Sequence, residues 1–239
     1  MTTVVNERES ATTTPAGRSL SDYRAWLVDL DGTLYRATGV RLAMAMELAL
    51  SGWRDARVVQ AFRREHERMR DSVGDIFTFE GDRESDAHCA SAFDRQLRRT
   101  AERLAVPVDA VRAVIERWMI ARPGKWIRLF RRRGLLSSIA AHRAGGGRTA
   151  LVSDYPARRK LASLAASELF EVVIANGEGD TAYALKPHPA AYLAAAERLA
   201  APPDECVVIG DRFDADGLAA RAAGMAFCHI KDMRVLPPT

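Results

Sequence analysis

The first strongly patterned stretch of the chain is residues 25–35, with the sequence AWLVDLDGTLY. Its apolar run at 26–28 has the length and character of a buried strand, and Asp29 and Asp31 follow it directly. In an open α/β sheet, ligands bind beyond the carboxyl ends of the strands, so this strand is predicted to deliver two acids to a site. An ordinary turn explains Asp31 and Gly32 but leaves Asp29 unexplained.

After this strand, apolar residues recur at helical spacing for most of the next ninety positions. The predicted helices cover residues 41–53, 54–71, 86–104 and a segment that begins at Asp109. Residues 73–85, with two glycines and several acids, are predicted to form a loop between them. The pattern therefore predicts an all-helical cap over residues 37–121.

From Pro123 onward, helical and strand patterns alternate. The predicted strands cover residues 149–152, 171–175, 206–210 and 226–230, and the predicted helices cover 127–143, 189–200 and 214–223, with a further helix near Leu161. Strands that alternate with helices over short connections favour a parallel, doubly wound sheet. The predicted fold is α/β, with a core of residues 20–36 and 122–239 and the cap inserted after the first strand.

Composition narrows the class of protein. With 239 residues and 48% hydrophobic content, the chain can form one full-sized domain and a smaller one. The net charge of +4 and the pI near 9.2 come mainly from arginine. The longest basic run is residues 131–133, and no basic stripe with interleaved aromatics is present, so no nucleic-acid partner is predicted. An anionic small molecule fits the charge equally well.

Cysteine content and the N-terminal sequence suggest where the protein acts. Three scattered cysteines are too few for a disulfide framework or a thiolate metal site, which indicates a reducing compartment. Residues 1–19 are rich in Thr, Ser and Glu and are predicted to form a disordered tail. No stretch reaches the roughly 18 apolar residues of a membrane span. The prediction is a cytoplasmic protein with no membrane partner, and its oligomeric state is left open.

Three more sites carry polar residues at strand ends or in adjoining loops. Ser153 ends an apolar run before a predicted helix, whose N-terminal amides and the hydroxyl together could hold a phosphate. Lys186 lies in the loop LKPHP and suits a phosphate as a point charge. Asp211, followed by Asp214 and Asp216, suits a hard cation such as Mg²⁺. Taken alone, Ser153 could be a helix cap, Lys186 a surface lysine, and the acids from Asp211 onward helix-capping residues.

In order, DLDGT, LVSD, LKPHP and VVIGDRFDAD resemble the four motifs of the haloacid dehalogenase-like (HAD) phosphohydrolases. The flanking sequence SDYPARRKLASL is similar to phosphoglycolate-phosphatase-like members, and the position of the helical insert resembles that family's C1 cap. The resemblance implies a HAD-like Rossmannoid core. It also implies an Mg²⁺-dependent phosphatase that hydrolyses a small phosphorylated metabolite.

The resemblance assigns a role to each matching residue. Asp29 is similar to the nucleophile that forms an aspartyl-phosphate. Asp31 is similar to the general acid/base, which has to be protonated at the start and act as a base afterwards. Ser153 and Lys186 would hold phosphoryl oxygens. Asp211 would bind Mg²⁺ together with Asp29 and the backbone carbonyl of Asp31.

Some alternatives stay open at this point. Asp216 matches the second acid of the fourth motif, but Asp214 is close enough to share or take that role. A sugar-phosphate mutase of the β-phosphoglucomutase type keeps the same acids and cap, and a catalytically idle binding or regulatory member is a further possibility. Thr33 follows the usual phosphatase form of the first motif. A dehalogenase is disfavoured because family members with that activity lack the acid at Asp31.

Substrate selection is predicted to come from the cap, because the four motifs can contact only the phosphoryl group and the cation. Within the cap, the loop at 73–85 is the predicted source of substrate contacts, although a solvated linker is an equal alternative. The candidate residues in this loop are Phe77, Phe79, Asp82 and Arg83.

Overall fold

The computed structural model of the protein describes residues 18–73, 91–179 and 184–231. Almost all of the predicted tail lies outside these ranges, and so do the candidate residues of the cap loop: Phe77, Phe79, Asp82 and Arg83. The expectations for these segments therefore stay predictions.

The core is a sheet of five parallel strands. The strands are β1 (Ala25–Asp29), β2 (Arg148–Ser153), β3 (Val172–Ala175), β4 (Cys206–Gly210) and β5 (Ala226–His229). Their order across the sheet is β3-β2-β1-β4-β5. The chain builds outward from β1 to β3 and then returns to the other side of β1, which creates a switch point between β1 and β4. The predicted doubly wound α/β fold is confirmed.

Nine α-helices lie within the described residues. They are α1 (Ala37–Ser51), α2 (Ala56–Val73), α3 (Ala92–Leu104), α4 (Val108–Ile115), α5 (Gly124–Leu129), α6 (Arg133–Ala144), α7 (Arg158–Leu164), α8 (Ala190–Arg198) and α9 (Leu218–Ala222). None of these helices is both long enough and apolar enough to cross a membrane.

Helices cover both faces of the sheet. Trp26 and Val28 of β1 point into one hydrophobic cluster, whereas Ala25 and Leu27 point into a second cluster that includes the alanine-rich helices α8 and α9. This alternation is the two-residue period of a strand. Because both faces are buried, β1 has an uninterrupted apolar sequence instead of an alternating one.

Helices α1 to α4, with a π-helical segment at Glu116–Ala121, form the part of the chain predicted to be a cap. Phe62, Leu97 and Ile115 are fully buried where α2, α3 and α4 pack together. They belong to the same hydrophobic cluster as Val28 of β1, so the apolar interior continues from these helices into the core. The exact domain boundaries stay a prediction.

Residues 34–36, which lead into the cap, lie beside residues 130–132, which follow α5. Arg36 N donates to Phe130 O at 3.0 Å, and Arg132 N donates to Leu34 O at 2.8 Å. This short pairing corrects one prediction. The helix expected over 127–143 is divided into α5 and α6, because residues 130–132 hydrogen-bond to the entering segment instead of continuing a helix.

Candidate active site

The four segments identified in the sequence meet at one edge of the sheet. Asp29 ends β1 and pairs in register with Val152, one residue before Ser153 ends β2. On the other side of β1, Asp211 follows the end of β4. The carboxyl ends of these neighbouring strands flank the switch point, where parallel sheets bind their ligands.

Lys186 is buried at the centre of this edge, with only 3% of its surface exposed. Its Nζ lies 2.6 Å from Asp29 Oδ1, 2.8 Å from Asp216 Oδ1 and 3.0 Å from the carbonyl oxygen of Val152. Burial opposes the charge on Lys186, but the two carboxylates outweigh it and raise the pKa of the amine. Lys186 is therefore a charged amine between two acids, and not the surface lysine that the loop sequence alone would suggest.

Asp29 is held through both of its oxygens. Oδ1 accepts from Lys186, and Oδ2 accepts a hydrogen bond from Thr33 Oγ1 at 2.9 Å. Burial raises the pKa of Asp29 well above its ordinary value, the Lys186 ammonium opposes this shift, and the Asp216 carboxylate adds to it. The side chain is fixed in orientation, which suits a nucleophile that must meet its substrate in line.

Asp31 has different partners. Lys160 Nζ lies 2.7 Å from each Asp31 carboxylate oxygen, and the Tyr35 hydroxyl donates to Oδ1. Burial alone would raise the pKa of Asp31, but attraction to Lys160 and the hydrogen bonds from Lys160 and Tyr35 outweigh it and lower that pKa. A buried lysine thus stabilises the carboxylate form of Asp31 in the free protein, which differs from the protonated acid expected at the start of the reaction.

Lys160 was not among the residues that the sequence singled out. It lies on α7, seven positions after Ser153 and next to the buried Leu161, and its exposed fraction is 5%. A signal was present, because Lys160 and the apolar Leu164 are spaced i, i+4 and so share one face of the helix. A lysine on the buried face of a short helix requires a partner, and here that partner is Asp31.

Ser153 is buried at the end of β2, as predicted, but no helix follows it directly. Its Oγ accepts a hydrogen bond from the Tyr155 backbone N–H at 3.2 Å, and α7 begins only at Arg158. The expectation that helix N-terminal amides stand beside the Ser153 hydroxyl is therefore wrong. The serine instead stabilises the turn between β2 and α7.

The carboxylates of Asp29, Asp211 and Asp216 lie close together, with oxygens all within 4.8 Å of one another. Within the described ranges, the Asp211 side chain makes no hydrogen bond or ion pair, and burial followed by the Asp216 charge raises its pKa. Three carboxyl groups share the single Lys186 ammonium, so ionising all of them without another cation would leave two negative charges uncompensated. Carboxylate oxygens in this arrangement fit a hard divalent cation such as Mg²⁺.

Asp216, and not Asp214, belongs to this cluster. Asp216 is buried and accepts hydrogen bonds from Lys186 and from the Tyr192 hydroxyl at 2.8 Å. The side chain of Asp214 is 63% exposed and pairs with Arg212. The two acids diverge because residues 213–217, expected to begin a helix at 214, form a π-helical turn. A Cβ atom at Gly210 would lie 2.4 Å from Asp216 Oδ2, so a glycine there permits the close approach.

Gly32 permits a second close approach. Its φ is +105°, and a Cβ atom at this position would lie 2.0 Å from Asp211 Oδ2. We expect Gly32→Ala to destabilise the fold by about 2 kcal/mol or more, because it adds backbone strain and displaces the Asp211 carboxylate. Thermal unfolding measures the first effect, and the Mg²⁺ concentration needed for half-maximal activity measures the second. Gly134→Ala is the control, since a Cβ there has no neighbour within 4 Å. Equal effects of the two changes would contradict this reading.

A cavity of about 450 Å³ extends from these acids to the helices of the cap. Its cap side is lined mainly by arginines and large apolar groups: Arg41, Met44, Arg63, Arg64, Trp118 and Met119. His66 and Glu67 of α2 also line it, and Glu67 pairs with Arg70 and Arg212. Arg70 of α2 joins the two parts of the protein. Its Nε donates to Lys186 O at 3.2 Å, and its guanidinium pairs with Asp214 at 3.4 Å. The site therefore lies in an open cleft between the sheet edge and the cap.

Comparison with known proteins agrees with this geometry. A profile of the haloacid dehalogenase-like hydrolases matches residues 23–224, which is most of the chain. The protein therefore belongs to the haloacid dehalogenase-like hydrolase family, and the resemblance noted in its sequence is confirmed. A comparison with curated protein sequences finds no significant match.

Several solved structures share the fold at low sequence identity. L-2-haloacid dehalogenase from Xanthobacter autotrophicus is 17% identical with a TM-score of 0.57, and the match covers 87% of this chain and 77% of that one. A HAD phosphatase from Thermococcus onnurineus is 20% identical with a TM-score of 0.51, covering 85% and 84%. The HAD-hydrolase YfnB from Bacillus subtilis, bound to magnesium, is 16% identical with a TM-score of 0.54, covering 90% and 92%.

Proposed function

We propose that this protein is an Mg²⁺-dependent phosphatase that hydrolyses a small phosphorylated metabolite in the cytoplasm. The observation that carries the proposal is the pairing of two different acid environments at one sheet edge. Asp29 lies in a cluster of three carboxyl groups that share one lysine, and Asp31 lies beside it in contact with a second buried lysine. The first environment suits a nucleophile that works with a cation, and the second suits a proton carrier.

In the first step, a carboxylate oxygen of Asp29 attacks phosphorus, and the bond between phosphorus and the leaving oxygen breaks. The leaving oxygen takes a proton from Asp31, which receives it from Lys160. In the second step, a water oxygen attacks phosphorus, the bond between Asp29 and phosphorus breaks, and a water proton passes to Asp31. One water is consumed, and the alcohol and inorganic phosphate are released.

The proton for the leaving group is held by the Asp31–Lys160 pair in this proposal. Asp31 is anionic in the free protein, while the Lys160 ammonium contacts both of its oxygens. Lys160 can pass a proton to Asp31 as Asp31 protonates the alkoxide, and it regains that proton after Asp31 deprotonates water. The pair therefore replaces the protonated carboxylic acid that the sequence led us to expect.

The proposed cation site is formed by the carboxylates of Asp29, Asp211 and Asp216. Asp29 and Asp211 would be its direct ligands. When bound, Mg²⁺ would supply charge that reduces the repulsion between an anionic nucleophile and an anionic phosphate. The donor set fits this ion, and the magnesium bound in the structure of the similar protein YfnB supports the assignment. Asp216 also keeps Lys186 and Tyr192 in place.

Removal of the metal should stop turnover. We expect excess chelator to abolish activity and added Mg²⁺ to restore it, because the uncompensated carboxylates would repel a phosphate dianion. Asp211→Ala should raise the Mg²⁺ requirement by about tenfold or more, since it removes a proposed ligand. The control is Asp214→Ala, which removes an exposed acid three positions away. Full activity in excess chelator, or the same Mg²⁺ requirement for both variants, would contradict the proposed metal site.

The experiment that tests the function is a screen of phosphorylated metabolites with purified protein and Mg²⁺, in which released phosphate and product isomers are both measured. We expect net release of inorganic phosphate. Conversion of one sugar phosphate into its isomer with little free phosphate would assign the protein as a mutase instead. Halide release from 2-haloacids without phosphatase activity would assign a dehalogenase, and no turnover of any compound would favour a binding role.

A further inference from the structure

Some of the arginines on the cap wall of the cavity have no acidic partner within the described residues. Helix α2 presents Arg63 and Arg64 to the cavity at one end and Arg70 at the other. Arg70 is buried and is occupied by contacts to Lys186 O and Asp214. Arg63 and Arg64 are exposed and make no hydrogen bond or ion pair with any residue in 18–73, 91–179 or 184–231.

The other cations near the core side of the cavity are already paired. Lys160 contacts Asp31, Lys186 contacts two carboxylates, and Arg212 contacts Asp214. Arg41 is a further cation on the cavity wall, but its charge acts on Asp211 and Tyr35, which places it near the phosphoryl end. Arg63 and Arg64 are therefore cations of the cavity wall that remain available to a second group of a ligand, and the charge of Arg63 reaches Tyr155 on the core side.

The position of these arginines sets a separation from the reacting group. Arg63 precedes Arg70 by seven residues, which is about 10 Å along a helix axis. Arg70 contacts the carbonyl of Lys186, at the edge where the catalytic acids lie. Trp118 and Met119 add an apolar surface to the wall of the same cavity. A ligand that spans this space would have a phosphoryl group at the core, an apolar or neutral middle, and charge at the cap.

We propose that the substrate carries a second anionic group, a carboxylate or a second phosphate, and that Arg63 and Arg64 bind it. The spacer between this group and the phosphoryl group is several atoms long. Guanidinium groups match carboxylate and phosphate oxygens in geometry and charge, and each such contact is stronger than a neutral hydrogen bond. This inference rests on the proposed phosphatase function for the position of the phosphoryl group.

Not every arginine of α2 is an unpaired residue of the cavity wall. Arg68 pairs with Glu65 at 3.2 Å. Arg57 is exposed and does not line the cavity. Arg57 is thus available as a matched control, because it has the same charge and lies on the same helix but is outside the cavity lining.

The test compares pairs of compounds that differ in the second charge. The substrates are 4-carboxyphenyl phosphate, its neutral amide 4-carbamoylphenyl phosphate, and 1,4-phenylene bisphosphate. We expect kcat/KM for at least one of the two doubly anionic esters to exceed that for the amide by about tenfold or more. Arg63→Gln combined with Arg64→Gln should reduce this preference to about twofold or less, whereas Arg57→Gln should preserve it.

A second readout keeps this test independent of turnover. Binding of 4-(phosphonomethyl)benzoate and of its amide is measured by calorimetry with Mg²⁺ present, and the same preference and the same loss are expected. Binding that shows the preference without hydrolysis of any ester would support the inference and refute the phosphatase. Hydrolysis of all three esters at equal kcat/KM, unchanged by the Arg63 and Arg64 substitutions, would overturn the inference and leave the phosphatase intact. The larger of the two anionic preferences identifies the second group as carboxylate or phosphate.

Discussion

Asp29→Asn is expected to lower kcat by at least about 10⁴-fold, because it removes the nucleophilic charge while keeping the size of the side chain. Steady-state phosphate release from the best substrate of the screen measures the change. Asp109→Asn is the control, since Asp109 is an exposed acid at the start of α4 outside the cavity. Its activity should match that of the unmodified protein.

The fold should survive this substitution. An amide oxygen at position 29 can still accept from Thr33, and Lys186 keeps its contact with Asp216. Circular dichroism and thermal unfolding check that the loss of activity is not a loss of structure. A folded Asp29→Asn protein with near-normal turnover would show that the chemistry does not pass through this carboxylate.

Lys186→Met is expected to have the largest effect on stability, about 3–5 kcal/mol, together with loss of turnover. The reason is that Lys186 is buried between Asp29 and Asp216, so its removal leaves two buried carboxylates without their cation. Denaturant unfolding measures the change in the free energy of unfolding. The matched control is Lys125→Met, which breaks a 2.6 Å pair with Glu47. That lysine side chain is 64% exposed, so the cost should be about 1 kcal/mol or less.

A double variant distinguishes the effect of the unpaired carboxylates from the effect of lost packing around the lysine side chain. Adding Asp216→Asn to Lys186→Met removes one of the two unpaired carboxylates, so part of the lost stability should return. Activity should not return, because Asp29 still lacks its cation. Equal stability losses for the Lys186 and Lys125 variants, or no recovery in the double variant, would contradict the charge arrangement described for this site.

The sheet could be predicted from the sequence because its strands are short apolar runs that local patterning shows directly. β4 was predicted at 206–210 and is found at Cys206–Gly210. The fold class also predicts that Asp29, Ser153 and Asp211 lie at one edge of the sheet, because parallel strands have their carboxyl ends at the same edge. These inferences need only local sequence and a general rule about sheets.

Features that depend on distant contacts could not be predicted in the same way. Lys160 meets Asp31 across 129 positions of the chain, and nothing near Asp31 in sequence indicates this pair. The division between α5 and α6 depends on hydrogen bonds to residues 34–36. The choice of Asp216 over Asp214 depends on a π-helical turn, which has no simple apolar period. In each case the tertiary partner decides the outcome.

In the proposed reaction a phosphoryl group is transferred to Asp29, and trapping that intermediate is the most direct test. The protein is mixed with Mg²⁺ and a ³²P-labelled substrate identified by the screen, quenched in acid within the first turnover, digested and mapped. We predict that the label is on the peptide that contains Asp29, is released by hydroxylamine, and is absent from Asp29→Asn. Turnover with no labelled peptide, or with the label on a different residue, would contradict the account.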